Sequence, residues 1–345
     1  MMNEANSVWN MINELSTKKG ISEIVINDPK TVFVERGGKF IQLNVQLTKT
    51  DMYEFISDVA KFNKRTCDVN HPILDGNLPD GSRINAIIEP FSSGSPAISI
   101  RRYLKVAQSF AKNPNAFGLN ENWCELMRAL VSANMNVIVS GGTGVGKTTF
   151  LNMLLGELSV GERVVTIEDT LELSLNRPNV VRLEAASRST SKADIGIREL
   201  VKNTLRMRPD RIIIGEVRGA EIFDLLQAMN TGHDGSMTSV HASSPGECFQ
   251  RIETLFLMTG FDVPIKVIRK LLVSAVDFVI QISRDRDGNR VISEVRELTG
   301  MEGDMITSQV IATFEDGKLS ATGLSPQRME KLARLGGLPL DFFNS

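Results

Sequence analysis

Cysteine is scarce. Cys67, Cys124 and Cys248 stand far apart and are odd in number, which excludes a complete disulfide framework and the close pairs of a zinc site. Reduced thiols are expected. A charge surplus is also lacking: 39 Lys and Arg oppose 41 Asp and Glu, a formal net charge of -2, so nothing prompts a nucleic-acid partner. The N-terminal stretch MMNEANSVWNMINEL has no basic region followed by an apolar run, so no secretory signal is read and a cytoplasmic location is expected. The most apolar late segment, Leu271 to Ile282, contains Asp277 and is shorter than the about 20 residues that cross a bilayer. Any membrane association is therefore expected to be peripheral or through a partner. Internal repeats and low-complexity tracts are missing too.

What is present is ordinary globular usage, 42% hydrophobic and 23% charged over 345 residues, long enough for two domains with cores of their own. Residues 8–15 and 50–62 carry helical spacing. Strand patterns occur at Glu23 to Ile26, Thr31 to Glu35, Lys39 to Leu43, Arg83 to Glu89 and Ala97 to Tyr103, with Gly37-Gly38 as a turn. This reads as a small α+β domain over 1–110, followed by a breaker-rich linker at 111–118. From 119 to 345 short apolar strands alternate with longer helical stretches, the pattern of a mostly parallel sheet. The strands are expected at Asn136 to Ser140, Arg163 to Ile167, Arg211 to Gly215 and Ser236 to Val240. Helices at 246–258 and 264–276, hairpins around Asp287-Gly288 and Asp316-Gly317, and a helix at 326–335 form an appendage.

The stretch SGGTGVGKTT, Ser140 to Thr149, follows a strand and precedes a helix, the context that makes a P-loop match specific. Gly141, Gly142, Thr143, Gly144, Val145 and Gly146 would turn successive N–H groups toward phosphate, and Lys147, Thr148 and Thr149 would close the loop ahead of an amphipathic helix expected at Phe150 to Leu155, whose N-terminus adds a favourable field. Lys147 is expected to reach the β and γ phosphates and Thr148 to ligate magnesium, which makes ATP and Mg2+ the expected cofactors.

Parallel sheets bind ligands beyond the carboxyl ends of their strands. Glu168 and Asp169 follow one expected strand, Glu216 another and His241 a third. Hydrolysis of a γ phosphate needs charge neutralisation by a metal and a group that positions or deprotonates water. Glu216 stands in the Walker B place and is expected to contact magnesium, with pairing to Arg218 as its structural alternative. Glu168 is assigned to the attacking water, and His241 to hydrogen bonding near the γ phosphate. His233 reads as a lone core or helix-cap histidine, and His71 as structural or exposed.

Four ordered motifs, Gly141 to Thr148, Thr166 to Thr170, Leu205 to Glu216 and Gly232 to Ala242, together resemble the type II/type IV secretion ATPase superfamily. Within it, Leu78-Pro-Asp-Gly-Ser-Arg83, Ser99-Ile-Arg-Arg102, Leu205-Arg-Met-Arg-Pro-Asp210 and Thr299-Gly-Met-Glu-Gly-Asp304 resemble the CpaF/TadA branch, the ATPases of Tad (Flp) pilus assembly. The resemblance implies a RecA-like P-loop NTPase domain, an ATPase, a homo-oligomer that is usually a hexamer, and an inner-membrane platform protein as partner. It also implies that Arg83, Arg101 and Arg102 approach the nucleotide phosphates from the N-terminal domain, and that Arg206 and Arg208 reach across a subunit boundary. Members of the branch often carry a longer N-terminal extension, whereas this chain begins almost at the folded domain. Thr170 stands where pilus retraction ATPases typically have proline, which favours the Tad or conjugation-type branch. From another class, a nucleotide-gated ring scaffold with little turnover is the competing reading.

Overall fold

The computed structural model describes residues 7–18, 20–102, 109–175, 177–185, 195–258 and 260–344. Two compact units make up the described chain, the first within residues 7–102 and the second from residue 109 onward.

The first unit contains α1 (Ser7–Thr17), β1 (Ile21–Asp28), β2 (Thr31–Arg36), β3 (Lys39–Leu43), α2 (Lys49–Phe62), β4 (Ile73–Asn77), β5 (Arg83–Ile87) and β6 (Ala97–Arg101). Its strands form an antiparallel sheet in the order β3-β2-β1-β6-β5-β4. Alternation decides which face is buried: Ile84 and Ala86 of β5 and Ile98 and Ile100 of β6 point into the core, while Asn85, Ser99 and Arg101 point out. Met52, Phe55, Ile56 and Val59 give α2 a single apolar stripe, which completes that core. A capping box starts α2, with Thr48 Oγ1 accepting from Asp51 N (3.1 Å) and Thr48 N donating to Asp51 Oδ2 (2.9 Å).

The second unit contains α3 (Glu121–Ser132), β7 (Val137–Gly141), α4 (Lys147–Gly156), β8 (Val164–Glu168), β9 (Val180–Glu184), α5 (Ile197–Thr204), β10 (Arg211–Ile214), α6 (Glu221–Asn230), β11 (Met237–His241), α7 (Pro245–Leu257), α8 (Ile265–Ala275), β12 (Phe278–Arg284), β13 (Arg290–Glu302), β14 (Met305–Glu315), β15 (Lys318–Ala321) and α9 (Met329–Gly336). Its sheet runs β15-β14-β13-β12-β7-β11-β10-β8-β9. From β12 to β9 neighbouring strands are parallel; β13, β14 and β15 add antiparallel. Every residue of β7, β8 and β10 is buried, as expected for strands covered by helices on both faces. Residues alternate between two cores: Val137 and Val139 face one, Ile138 the other.

All four parallel strands expected from the sequence are present. Two more, β9 and β12, were not anticipated, and β12 occupies the place beside β7. Residues 111–118, expected as a linker, lie in the second unit: Phe117 is buried there, 5.2 Å from Phe150 in an edge-on ring contact. Its breakers mark a tight path over that core, with Phe117 and Gly118 both at positive φ. Tyr103, expected to end a strand, falls outside the described residues.

Candidate active site

The chain leaves β7 through the glycine loop, makes α4, and returns at β8, three places away across the sheet, while β11 and β10 lie between. That jump creates the crevice at which parallel sheets hold ligands. Gly144 and Gly146 adopt φ of 70° and 101°, values that a side chain disfavours. At Gly141 the demand is spatial: an added Cβ would lie 2.8 Å from Ile282 O. Lys147 is 9% exposed, and its Nζ donates to Gly141 O (3.0 Å) and Gly142 O (2.8 Å). The lysine thus closes the loop on itself.

His241 ends β11 with its backbone opposite Gly141, and Ala242 N donates to Gly141 O at 3.3 Å. His241 thus lies beside the glycine loop, and it is exposed. Beyond β11, β10 leads into Glu216. Ser239 Oγ donates to Gly215 O (2.7 Å) and Val217 N to Ser239 O (3.0 Å), which fixes the end of β10 against β11. Arg218 Nε donates to Glu216 Oε2 (2.9 Å) and Arg218 Nη1 to Asp169 Oδ2 (3.2 Å). The pairing weighed as an alternative for Glu216 is thus formed, and it ties Glu216 to the acidic stretch after β8.

Glu168 closes β8 and is only 4% exposed. The following loop folds back, and Glu172 N and Leu173 N both donate to its Oε1 at 2.8 Å; Asn152 on α4 anchors that loop by accepting from Ser174 N at 2.8 Å. Oε2 is buried with no hydrogen-bond partner. Burial pushes the carboxyl up to about 7, against the partial relief of the two backbone N–H groups and the nearby charge of Arg182. Gly215 makes room for it, since an added Cβ would approach Glu168 Cγ to 3.0 Å. A buried carboxyl that is half satisfied and near its midpoint at neutral pH is suited to proton transfer.

Among the described residues no group of three or more His, Cys, Asp or Glu forms a metal cluster. The available donors, the Thr148 hydroxyl and the Glu216 carboxylate, fit magnesium, which keeps waters and substrate phosphates in its shell and takes only one or two protein groups.

The arginines behave differently. Arg102 donates to Leu15 O (3.0 Å) and Ser16 O (2.9 Å), capping the end of α1 within the first unit. Arg83 and Arg101 face each other in register on the outward face of its sheet, and Glu23 stands next in that row. Arg206 and Arg208 are exposed before β10, at the opposite end of that strand from Glu216. His233 caps α6, its Nδ1 lying 3.2 Å from Ala228 O, and His71 sits exposed beside Asp68 at 3.3 Å. Sequence reasoning missed the contact of Arg284 and Arg290 with the phosphate loop. The signal was the hairpin around Asp287-Gly288, but without β12 assigned beside β7 it had no address.

A family model described as type II/IV secretion system protein matches residues 6–308. The conjugal transfer protein TrbB of Rhizobium radiobacter is 31% identical over 300 residues, covering 86% of this chain and 89% of that protein. The type IV secretion system protein VirB11 of Bartonella quintana is 30% identical over 305 residues, covering 77% and 85%. In fold, the chain is similar to the crystal structure of the Legionella pneumophila ATPase DotB, with a TM-score of 0.61 at 20% identity over 84% of this chain and 80% of that one. The RecA-like fold expected from the sequence is borne out.

Proposed function

Because the chain belongs to the type II/IV secretion system protein family, we propose that it is an ATP-hydrolysing motor of a cell-envelope secretion or pilus machine. One observation carries the reading: the phosphate loop on β7 is followed across one sheet edge by His241, Glu216 and a buried, half-satisfied Glu168, each at the carboxyl end of its strand. A loop that only bound nucleotide would gain nothing from a desolvated carboxyl near its midpoint.

Lys147 exchanges the carbonyls of Gly141 and Gly142 for phosphate oxygens when ATP enters. Thr148 and Glu216 would hold magnesium, which would supply charge neutralisation at the phosphates. Glu168 orients the attacking water and takes its proton at Oε2, while the Glu172 and Leu173 amides keep Oε1 fixed. Arg218 holds Glu216 and Asp169 together and would compete with a metal for Glu216. The work is done as a ring, a homohexamer in the cytoplasm docked on an inner-membrane platform protein, and the Leu78 to Arg83, Ser99 to Arg102 and Thr299 to Asp304 phrases support Tad-type pilus assembly as its setting.

The test is magnesium-dependent release of phosphate from ATP, with Lys147→Ala as the control, alongside mass measurement in solution with a non-hydrolysable ATP analogue. Turnover that disappears in the control, with a ring in solution, is expected. Wild-type turnover no better than the control would favour the nucleotide-gated scaffold, and an obligate monomer would remove the ring.

A further inference from the structure

The strand beside the phosphate loop does more than complete the sheet. In the parallel β7–β12 pair Ile282 stands opposite Gly141, and β12 continues to Arg284 before turning back into β13 at Arg290, directly across from it. This overrun carries two arginines alongside the loop. Arg284 Nη2 donates to Gly144 O (3.2 Å), and its Nη1 to Gly288 O (2.9 Å) in the hairpin turn. The stem of Arg290 reaches the other flank, where a Cβ added at Gly146 would lie 3.1 Å from Arg290 Cδ and 3.2 Å from the Phe117 ring. The turn itself is stiff: Asp285 Oδ1 accepts from Asp287 N (2.9 Å) and Asn289 N (2.8 Å), and Asn289 Nδ2 donates to Asp285 Oδ2 (3.1 Å).

A planar trans peptide points its C=O and N–H in opposite directions. Fixing Gly144 O on the outer side of the loop therefore aims the N–H of Val145 to the opposite side, away from the hairpin. Glycines at 144 and 146, with φ of 70° and 101°, bring no side-chain preference of their own to hold that peptide. A guanidinium supplies the hold from outside, and a cation on the carbonyl also polarises the peptide so that its N–H donates more strongly.

We infer that Arg284 is a positioning residue of the phosphate loop, acting through the Gly144–Val145 peptide, and that the β12–β13 hairpin is the brace that keeps the loop ready for phosphate. The inference rests on the reading of that loop as a nucleotide site. Arg284 touches no reacting atom; its effect is to pre-organise a donor.

The experiment compares wild type, Arg284→Ala, Arg284→Lys and Lys147→Ala for binding of a fluorescent ADP and for the ATP dependence of turnover, with thermal unfolding in the absence of nucleotide as the check on folding. Arg284→Ala is expected to bind roughly tenfold more weakly, the scale of one charge-assisted hydrogen bond, with KM raised, kcat little changed and the nucleotide-free melting temperature kept. Arg284→Lys, which retains a cation on the stem, should recover part of the affinity. Hydrogen exchange at Val145 N–H should speed up in Arg284→Ala before any nucleotide is added. Equal affinity and equal exchange in wild type and Arg284→Ala would overturn the inference while leaving the nucleotide reading intact. Failure of wild type itself to bind would instead overturn that reading. If Arg284→Ala does not fold, Arg284→Gln, with the stem and one donor group kept, is judged by the same affinity and exchange.

Discussion

The two ends of the larger sheet handle buried charge in opposite ways. At the amino end Arg211 is 2% exposed, yet every nitrogen of its guanidinium has a partner: Nε and Nη2 meet both oxygens of Glu162 (2.8 and 3.0 Å), and further bonds reach Val131 O (2.8 Å), Asn134 Oδ1 (2.5 Å) and Gly235 O (3.4 Å). This clamp joins the segment before β8, the end of α3 and the turn into β11. At the carboxyl end Glu168 is almost as buried, but one of its oxygens has no partner. Buried polar groups are ordinarily satisfied because leaving them bare costs free energy. The clamp obeys that rule and holds the fold; Glu168 breaks it at the carboxyl end of the sheet, where one carboxylate oxygen is left unsatisfied.

The largest effect is expected at the clamp. Arg211→Leu leaves Glu162 without its partner and should destabilise by about 3 kcal/mol, the lower part of the range for breaking a buried pair, because Glu162 keeps 24% of its side chain in solvent. Urea unfolding measures this, and a loss below about 1 kcal/mol would show the clamp to be ornamental.

Glu168→Gln should move stability the other way. Burial raises the carboxyl from 4.5 to about 7, so between those values the native state holds a proton that the unfolded chain has released. The stability from that proton is complete below the unfolded value and lost as pH rises through about 7. Removing the charge should therefore make the variant about 2 to 3 kcal/mol more stable than wild type at alkaline pH, with the difference vanishing in acid. Urea unfolding at several pH values would give the curve; a constant difference would place the cause elsewhere.

Arg218→Ala is the smallest change expected in stability. Its side chain is 57% exposed, and such pairs contribute no more than about 1 kcal/mol. The variant should instead reach half-maximal turnover at lower magnesium, since Glu216 no longer has a competing cation; an unchanged magnesium dependence would remove Glu216 from the metal.

Much of this was legible in the sequence where one residue type has one physical use. The glycines at 144 and 146 stand at positive φ, the apolar runs became strands buried on both faces, and the polar residues after those runs fell at one sheet edge, because parallel strands share a direction. Less legible were features that depend on distant partners. The apolar stretch that begins at Phe278 looks the same as a helix end until β7 is seen beside it, so β12 and its arginines stayed hidden. Arg102 carried a motif match, yet the α1 carbonyls occupy it. The state of Glu168 could not be read from its position: the fold-back of residues 172–173 supplies one oxygen and leaves the other bare.

The most direct test of the central claim, that Glu168 turns a phosphate-binding loop into a hydrolytic site, is ATP affinity and single-turnover hydrolysis measured side by side in wild type and Glu168→Gln. Unchanged affinity with hydrolysis slowed by about 100-fold or more is predicted, the scale of a lost general base, whereas hydrolysis at the wild-type rate in the variant would contradict it.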